Sequence, residues 1–346
     1  VTTRLWLRSE VRPTEQRAPI TPADAKTLVD AGTEVTVEDS PRRVFPTADY
    51  AAAGCRVVEP GGWVDAPPDV VVVGLKELPD LPERLPHRHV FFGHAYKGQP
   101  GARALLDRFT AGGGALLDLE YLTDDDGRRL TAFGYWAGYL GAALTVLNDR
   151  GALPAPLRPT GRAELDAALR EHAGDAPTAL VVGALGRCGR GARDALAVAG
   201  ARVTGWDLAE TRNLDRAALL GHDLLVNAVL ATGPAEPLLR PEDLDAPGRT
   251  LRGIGDVSCD AGGPYNLLPV YDEVTTWDEP VLRLRGGERP LDLIAIDNLP
   301  SLLAAESSAD FSRDLLPHLL DLDSGPWRRC AERFHTTVAA LEADLV

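Results

Sequence analysis

Lysine is nearly absent from this chain. Its 346 residues include 33 arginines but only three lysines, Lys26, Lys76 and Lys97, the last two within 22 residues of each other. In a sequence rich in Ala, Gly, Pro and Arg, lysine is expected only where a generic cation does not suffice. An amine, unlike a guanidinium, loses its proton near neutral pH when desolvated. Lys76 and Lys97 are therefore expected to be present for what an amine does. Cysteine is also scarce. Cys55, Cys188, Cys259 and Cys330 stand at wide, irregular spacings that match neither a zinc site nor a disulfide framework, so unbridged thiols are expected. No apolar run approaches the ~18 residues that cross a bilayer, and the start, Val1-Thr2-Thr3-Arg4, lacks the apolar stretch of a secretion signal. A soluble cytoplasmic protein without membrane partners is expected. The net charge of −15 argues against a nucleic-acid-binding surface.

What is present is globular: 45% apolar and 25% charged residues, with no internal repeat or low-complexity tract. The length suggests two domains at ~150 residues each. Strand-like runs are expected at residues 4–7, 34–37, 69–73, 89–92 and 115–117, with helical spacing at 22–31 and 102–109. Residues 133–147 read as a long helix connecting two domains, and 148–177, with four prolines and a helical patch at 163–172, as a linker or insertion. A second alternating set places strands at 179–182, 202–206, 224–228, 251–254 and 293–296. Helical spacing then closes the chain at 312–320 and 326–345. Alternation of this kind predicts an α/β protein with two Rossmann-like domains, parallel sheets and an active-site cleft between the domains. Late helices commonly pack back on an earlier domain. The expected division is thus a discontinuous substrate or catalytic domain, 1–132 and 305–346, around a dinucleotide-binding domain, 133–304.

The sharpest local signal runs from Thr178 to Ala192. A buried strand leads into Gly183, Gly186, Gly189 and Gly191, and a helix opens at once. Glycines there permit a tight turn and let backbone N–H groups approach a pyrophosphate. The spacing is GxxGxxG rather than the commoner GxGxxG. Asp207 follows 21 residues after Gly186, where an acid hydrogen-bonds an adenosine ribose. That carboxylate repels a 2′-phosphate and favours NAD over NADP, a preference weakened by Arg212 nearby. In the first third, three apolar runs each end in ionisable groups: Lys76 and Glu77, His94 and Lys97, and Glu120. Carboxyl ends of parallel strands are where open α/β sheets bind ligands.

On these residues the chain resembles the NAD-dependent, L-lysine-forming saccharopine dehydrogenases, within the alanine dehydrogenase and transhydrogenase-like group. The resemblance is carried by Arg17-Ala-Pro-Ile-Thr-Pro22, Val37-Glu-Asp-Ser-Pro41, Gly74-Leu-Lys-Glu77, His94-Ala-Tyr-Lys97, Gly127-Arg-Arg129 and Ala132-Phe-Gly134. It continues in Gly183-Ala-Leu-Gly-Arg-Cys-Gly189, Trp206-Asp207, Asp256-Val-Ser258 and Asp297-Asn-Leu-Pro-Ser-Leu-Leu303. It implies that Lys76 takes the proton of the substrate's secondary amine and that His94 assists water addition to the resulting imine. Arg17, Lys97 and Arg129 match carboxylate-binding positions. Glu77 and Glu120 match acids that tune the lysine and histidine, and Phe133, Ser258 and Asp260 match positions lining the substrate. Arg128, Gly183, Gly186, Arg187, Gly189, Asp207, Thr211, Leu230, Val257, Ile296, Asp297, Asn298 and Leu299 match the NAD side. The resemblance implies a monomer, and some relatives bridge the cysteine matching Cys188 to a second one, here replaced by Ala228. The same scaffold also fits another amino acid and 2-oxo acid pair, an ammonia-releasing amino-acid dehydrogenase, or a catalytically silent NAD-binding regulator. The last would be expected to lack the lysine or histidine, and both are present.

Overall fold

Alternating apolar runs and amphipathic stretches fold into two six-stranded sheets. The structure, a computed structural model, describes residues 2–171, 176–231 and 233–343. The chain divides into two compact units, Val1–Ala132 with Ala304–Val346, and Phe133–Leu303.

In the first unit the elements are β1 (Arg4–Leu7), α1 (Pro22–Asp30), β2 (Glu34–Glu38), α2 (Thr47–Ala52), β3 (Arg56–Val58), β4 (Val71–Val73), β5 (Arg88–Phe91), α3 (Ala102–Gly112) and β6 (Ala115–Asp118). The sheet order is β3-β2-β1-β4-β5-β6, and every pairing is parallel. β4 is three valines, all buried, as expected of a strand covered by helices on both faces. α1 starts cleanly because Thr21 accepts the Asp24 N–H at 3.2 Å and Pro22 has no amide to leave unpaired.

The second unit contains α4 (Gly134–Asp149), α5 (Arg162–Glu171), β7 (Thr178–Val182), α6 (Arg187–Val198), β8 (Arg202–Trp206), α7 (Leu208–Thr211), α8 (Arg216–Leu220), β9 (Leu224–Asn227), β10 (Gly253–Asp256), β11 (Leu282–Arg285) and β12 (Leu291–Ile294). Its order is β11-β12-β10-β9-β7-β8, parallel except for the edge strand β11, which pairs antiparallel with β12. α9 (Ala304–Leu319) and α10 (Gly325–Ala343) then complete the first unit. Ser308 and Ser312 of α9 accept the backbone N–H groups of Ala18 and Thr21 at 2.9 Å, and α10 buries Trp327, Cys330 and Phe334.

Two expectations need correction. The helix expected to connect domains is the central core helix of the second unit: α4 buries Trp136, Tyr139, Leu140, Leu144, Val146 and Leu147. A helix apolar on all sides belongs in a core. The segment expected to be a linker is also part of that core, through buried Leu157, Leu165 and Leu169. Its helical patch is α5; the expected last residue, His172, and the tail's Leu345 lie outside the described residues. No helix among the described residues is long and apolar enough to cross a membrane.

Candidate active site

Strand order locates the ligand crevices. In each sheet the first strand has neighbours reached in opposite directions, β2 and β4 around β1, and β8 and β9 around β7. Ligands bind at such switch points, beyond the carboxyl ends of the strands.

In the second unit each glycine of the loop after β7 has a separate task. Gly183 has φ +81°, and a Cβ there would lie 2.7 Å from Val229 Cγ2. At Gly189 a Cβ would lie 2.7 Å from Ala184 Cα, so helix and loop pack backbone to backbone. At Gly186 it would meet nothing closer than 3.4 Å. That open space at the start of α6 is where a pyrophosphate can approach the first N–H groups. Asp207, at the end of β8, accepts from Leu185 N at 3.0 Å and Leu208 N at 2.9 Å, which ties the loop to the start of α7. Gly183, Asp207, Thr211 and Leu230 line a cavity of about 500 Å³ together with Leu208, Leu214 and Leu238. A mostly apolar slot with Asp207 at the end of β8 and Glu236 also in its lining fits the adenosine half of a dinucleotide, so the residues present suit that cofactor.

Beside this cavity lies a buried network that sequence reasoning missed. Asp256 accepts from Asn227 Nδ2 at 3.0 Å, from the Ser258 amide and hydroxyl at 3.0 and 2.7 Å, and from the Tyr271 hydroxyl at 2.7 Å. Asn227 in turn accepts from Val229 N at 3.1 Å. One carboxylate thus fixes both the Val229–Leu230 turn and the loop carrying Val257, Ser258 and Asp260. Burial, with Asp256 alongside, pushes the Tyr271 phenol and the Cys259 thiol well up.

In the first unit β4, β5 and β6 are adjacent and parallel, so the groups that follow them emerge on one edge. Glu120 draws three of the expected residues together: Lys97 Nζ at 2.6 Å, Arg129 Nη2 at 3.5 Å and His94 Nδ1 at 3.8 Å. Burial pushes the Glu120 carboxyl up, but Lys97, then Arg129 and His94, outweigh it and hold the group below its ordinary 4.5. The Glu120 amide is anchored on Asp118 Oδ1 at 2.9 Å, and burial pushes the Asp118 carboxyl up to about 6.

Lys76 is half-buried after β4 and has two carboxylates in its electrostatic surroundings, Glu15 and Glu77. Each carries its own arginine fork. Arg17 donates to Glu15 at 2.8 and 2.6 Å, and Arg12 donates to Glu77 at 3.0 and 3.1 Å. Burial raises both carboxyl groups, and the arginines reverse the direction, so both stay below their ordinary range. Glu15 and Arg12 carried no signal of their own in the sequence.

Backbone strain marks the same places. Among the described residues, the non-glycine positions with positive φ are His94 (48°), Cys259 (50°) and Asn298 (69°). Such conformations concentrate at functional sites. Other expected residues are less directly placed. Ile296 and Leu299 bury their side chains in the core of the second unit, and Val257 packs against Gly141 of α4. Asp297 is exposed, and Arg187 and Phe133 are half-buried. Arg128, expected on the cofactor side, belongs to the first unit, in a hairpin where its amide bonds Asp124 Oδ1 at 2.8 Å and Arg329 holds Asp125 at 2.8 Å.

The saccharopine dehydrogenase [NAD(+), L-lysine-forming] of Schizosaccharomyces pombe is 39% identical over 368 residues, covering 99% of this chain and all of that protein. The chain belongs to this saccharopine dehydrogenase family. A second member, from Neurospora crassa, is 41% identical over 362 residues, with 98% of this chain and 97% of that protein covered. Residues 6–140 match the family described as alanine dehydrogenase/PNT, N-terminal domain. An L-alanine dehydrogenase structure superposes with a TM-score of 0.67 at 17% identity, over 96% of this chain and 94% of the other, which shows the shared fold. All four cysteines of this family member are unbridged, Cys188 among them.

Proposed function

We propose that the chain catalyses the reversible NAD-dependent oxidation of saccharopine to L-lysine and 2-oxoglutarate. The observation that carries this is the gathering of His94, Lys97 and Arg129 on Glu120 at the strand edge that also presents Lys76. The first unit supplies the acid–base and carboxylate-binding groups, and the second holds the cofactor. When bound, the oxidised nicotinamide accepts the hydride that leaves the glutarate carbon.

Lys76 takes the proton of the substrate's secondary amine as the C=N bond forms. General-base work of this kind is worth about 10²–10⁴-fold in rate. A lysine performs it only where its surroundings do not lock it as an ammonium. The forks on Glu15 and Glu77 serve that end, because a carboxylate already paired with a guanidinium attracts a third charge weakly. His94 assists the addition of water to the imine, and the carbinolamine then collapses to the amine and the oxo acid. Lys97 and Arg129, both largely exposed, meet substrate carboxylates, for which a planar guanidinium offers bidentate bonds; Arg17, expected among them, is 4% exposed with its Nε and Nη2 already given to Glu15. Asp260 receives an ammonium group. Asp207, beside the 500 Å³ cavity, selects NAD by repelling a 2′-phosphate.

Steady-state NADH formation with saccharopine tests this directly, beside NADH consumption with lysine plus 2-oxoglutarate and with other amine and oxo-acid pairs. Lys76→Met should lower kcat at least ~100-fold with NAD affinity nearly unchanged. Wild-type turnover in that variant removes Lys76 from the mechanism. Activity confined to another pair, or release of ammonia, overturns the substrate assignment.

A further inference from the structure

We propose that the buried pair Arg8 and Glu10 is a clamp on the Lys76 peptide, and that Glu10 is a positioning residue for the Lys76 amine; this rests on the proton-acceptor role proposed above. Arg8 and Glu10 follow β1, whose neighbour β4 leads into Lys76. Glu10 spreads its carboxylate over two successive amides, accepting from Leu75 N at 2.7 Å and from Lys76 N at 3.0 Å. Arg8 donates from the other side to the Lys76 carbonyl oxygen. The two side chains pair at 3.3 Å. Both polar groups of the Lys76 backbone are therefore held, and the amine's position is left to the side-chain torsions alone.

The surroundings are built around this clamp. Arg8 is 1% and Glu10 7% exposed. The arginine passes beneath Gly74, where a Cβ would lie 2.6 Å from its Cζ, and its guanidinium stands 5.8 Å from the centre of the Phe91 ring. Any side chain at 74 would displace it. The pair is itself anchored: Arg42 donates to the Glu10 carbonyl oxygen at 2.7 Å, and Ser9 binds Glu38 through its amide at 2.9 Å and its hydroxyl at 3.0 Å. Burying an ion pair does little for stability compared with apolar side chains of the same volume. Its value here is geometric, since misplacing a reacting group by ~1 Å costs about 10²-fold in rate.

The test is a double-mutant cycle on the full-length enzyme, with saccharopine as substrate. Glu10→Gln keeps the volume but turns an N–H donor toward one of the two amides. We expect kcat to fall about 10- to 100-fold, with NAD affinity, measured by nucleotide fluorescence, within twofold of wild type. In a Lys76→Met background the same change should cost less than about twofold, because the clamp acts only through that amine. Should Glu10→Gln fail to fold by circular dichroism, Arg8→Lys, which removes the guanidinium fork but keeps the charge, takes its place in the cycle with the same expectation. Wild-type kcat in the single variant, or equal losses in both backgrounds, overturns the clamp. Wild-type turnover in Lys76→Met alone removes the proton acceptor and with it the clamp's purpose.

Discussion

A methyl group added to Gly138 separates helix propensity from packing. Gly138 lies in the interior of α4, where replacing Gly by Ala ordinarily stabilises by about 1 kcal/mol. Here an added Cβ would lie 2.5 Å from the Cys188 carbonyl carbon and 2.8 Å from its Cα, with the carbonyl oxygen closer still. Carbon atoms pack favourably from about 3.5 Å, so α6 must withdraw by roughly 1 Å. Backbone cannot rotate out of the way as a side chain can. Withdrawal loosens a shared face built from Tyr139, Ala142, Ala143 and Val146 on α4 and Ala192, Ala195, Leu196 and Ala199 on or just after α6. A gap of that size forfeits a quarter to a half of each contact's attraction. Overpacking of this kind costs about 3 kcal/mol, well above the propensity gain. For a unit of this size Tm should fall by about 5–10 °C in a thermal melt. The first turn of α6 carries the loop from Gly186, so NAD affinity should weaken about tenfold as the helix start shifts. Gly141→Ala on the same helix is the internal control. Its Cβ would meet Val257 Cγ2 at 2.6 Å, a side-chain atom able to move, so the loss should be smaller. A raised Tm in Gly138→Ala, or a larger loss in Gly141→Ala, would refute the reasoning.

The other expectations concern charge. Asp207→Ala removes two charge-assisted bonds, to Leu185 N and Leu208 N, together with the repulsion of a 2′-phosphate. NAD affinity should fall about tenfold and NADP by less, narrowing the preference; an unchanged ratio of the two dissociation constants sinks the assignment of Asp207. Arg17→Met leaves Glu15 buried without its fork. In the wild type that carboxyl titrates below its ordinary 4.5 because Arg17 outweighs the effect of burial. A carboxyl depressed in the folded state contributes stability above its unfolded value, and that contribution is lost as pH falls through the folded one. The variant should therefore be less stable by about 3–5 kcal/mol at pH 7.5, with the difference shrinking below roughly pH 4.5. A Tm difference that stays constant from pH 7.5 to 3.5 contradicts this.

Much of the scaffold was legible in local patterns, and the reason is burial. The valines of β4 and the run into Gly183 are continuous because those strands are covered on both faces. An ionisable residue directly after such a run stands out, which is how Lys76, His94 and Glu120 became visible. β3 and β11 were missed. Both are short edge strands whose residues are exposed or half-exposed, so they show little apolar signal. The Arg8–Glu10 clamp, the bonds from Ser308 and Ser312, and the Asp256–Asn227–Tyr271 network left no trace either. Each joins residues distant in sequence or uses a polar group at an unremarkable position, and the need for it appears only when opposing backbone amides are left to be satisfied.

The scarcity of lysine can now be weighed residue by residue. Lys26 forms an exposed i,i+4 pair with Asp30 at 2.8 Å, a task arginine performs as well. Lys97 pairs with Glu120 beside Arg129, which makes a second contact to the same carboxylate, so cationic charge rather than an amine is what that place requires. Composition thus separates one lysine from the other two. Around Lys76 arginine is used wherever a fixed charge is needed, at Arg8, Arg12 and Arg17, and each of those guanidiniums is engaged with a carboxylate. Arginine at position 76 would keep the charge and lose the chemistry, because a guanidinium does not give up its proton in a protein.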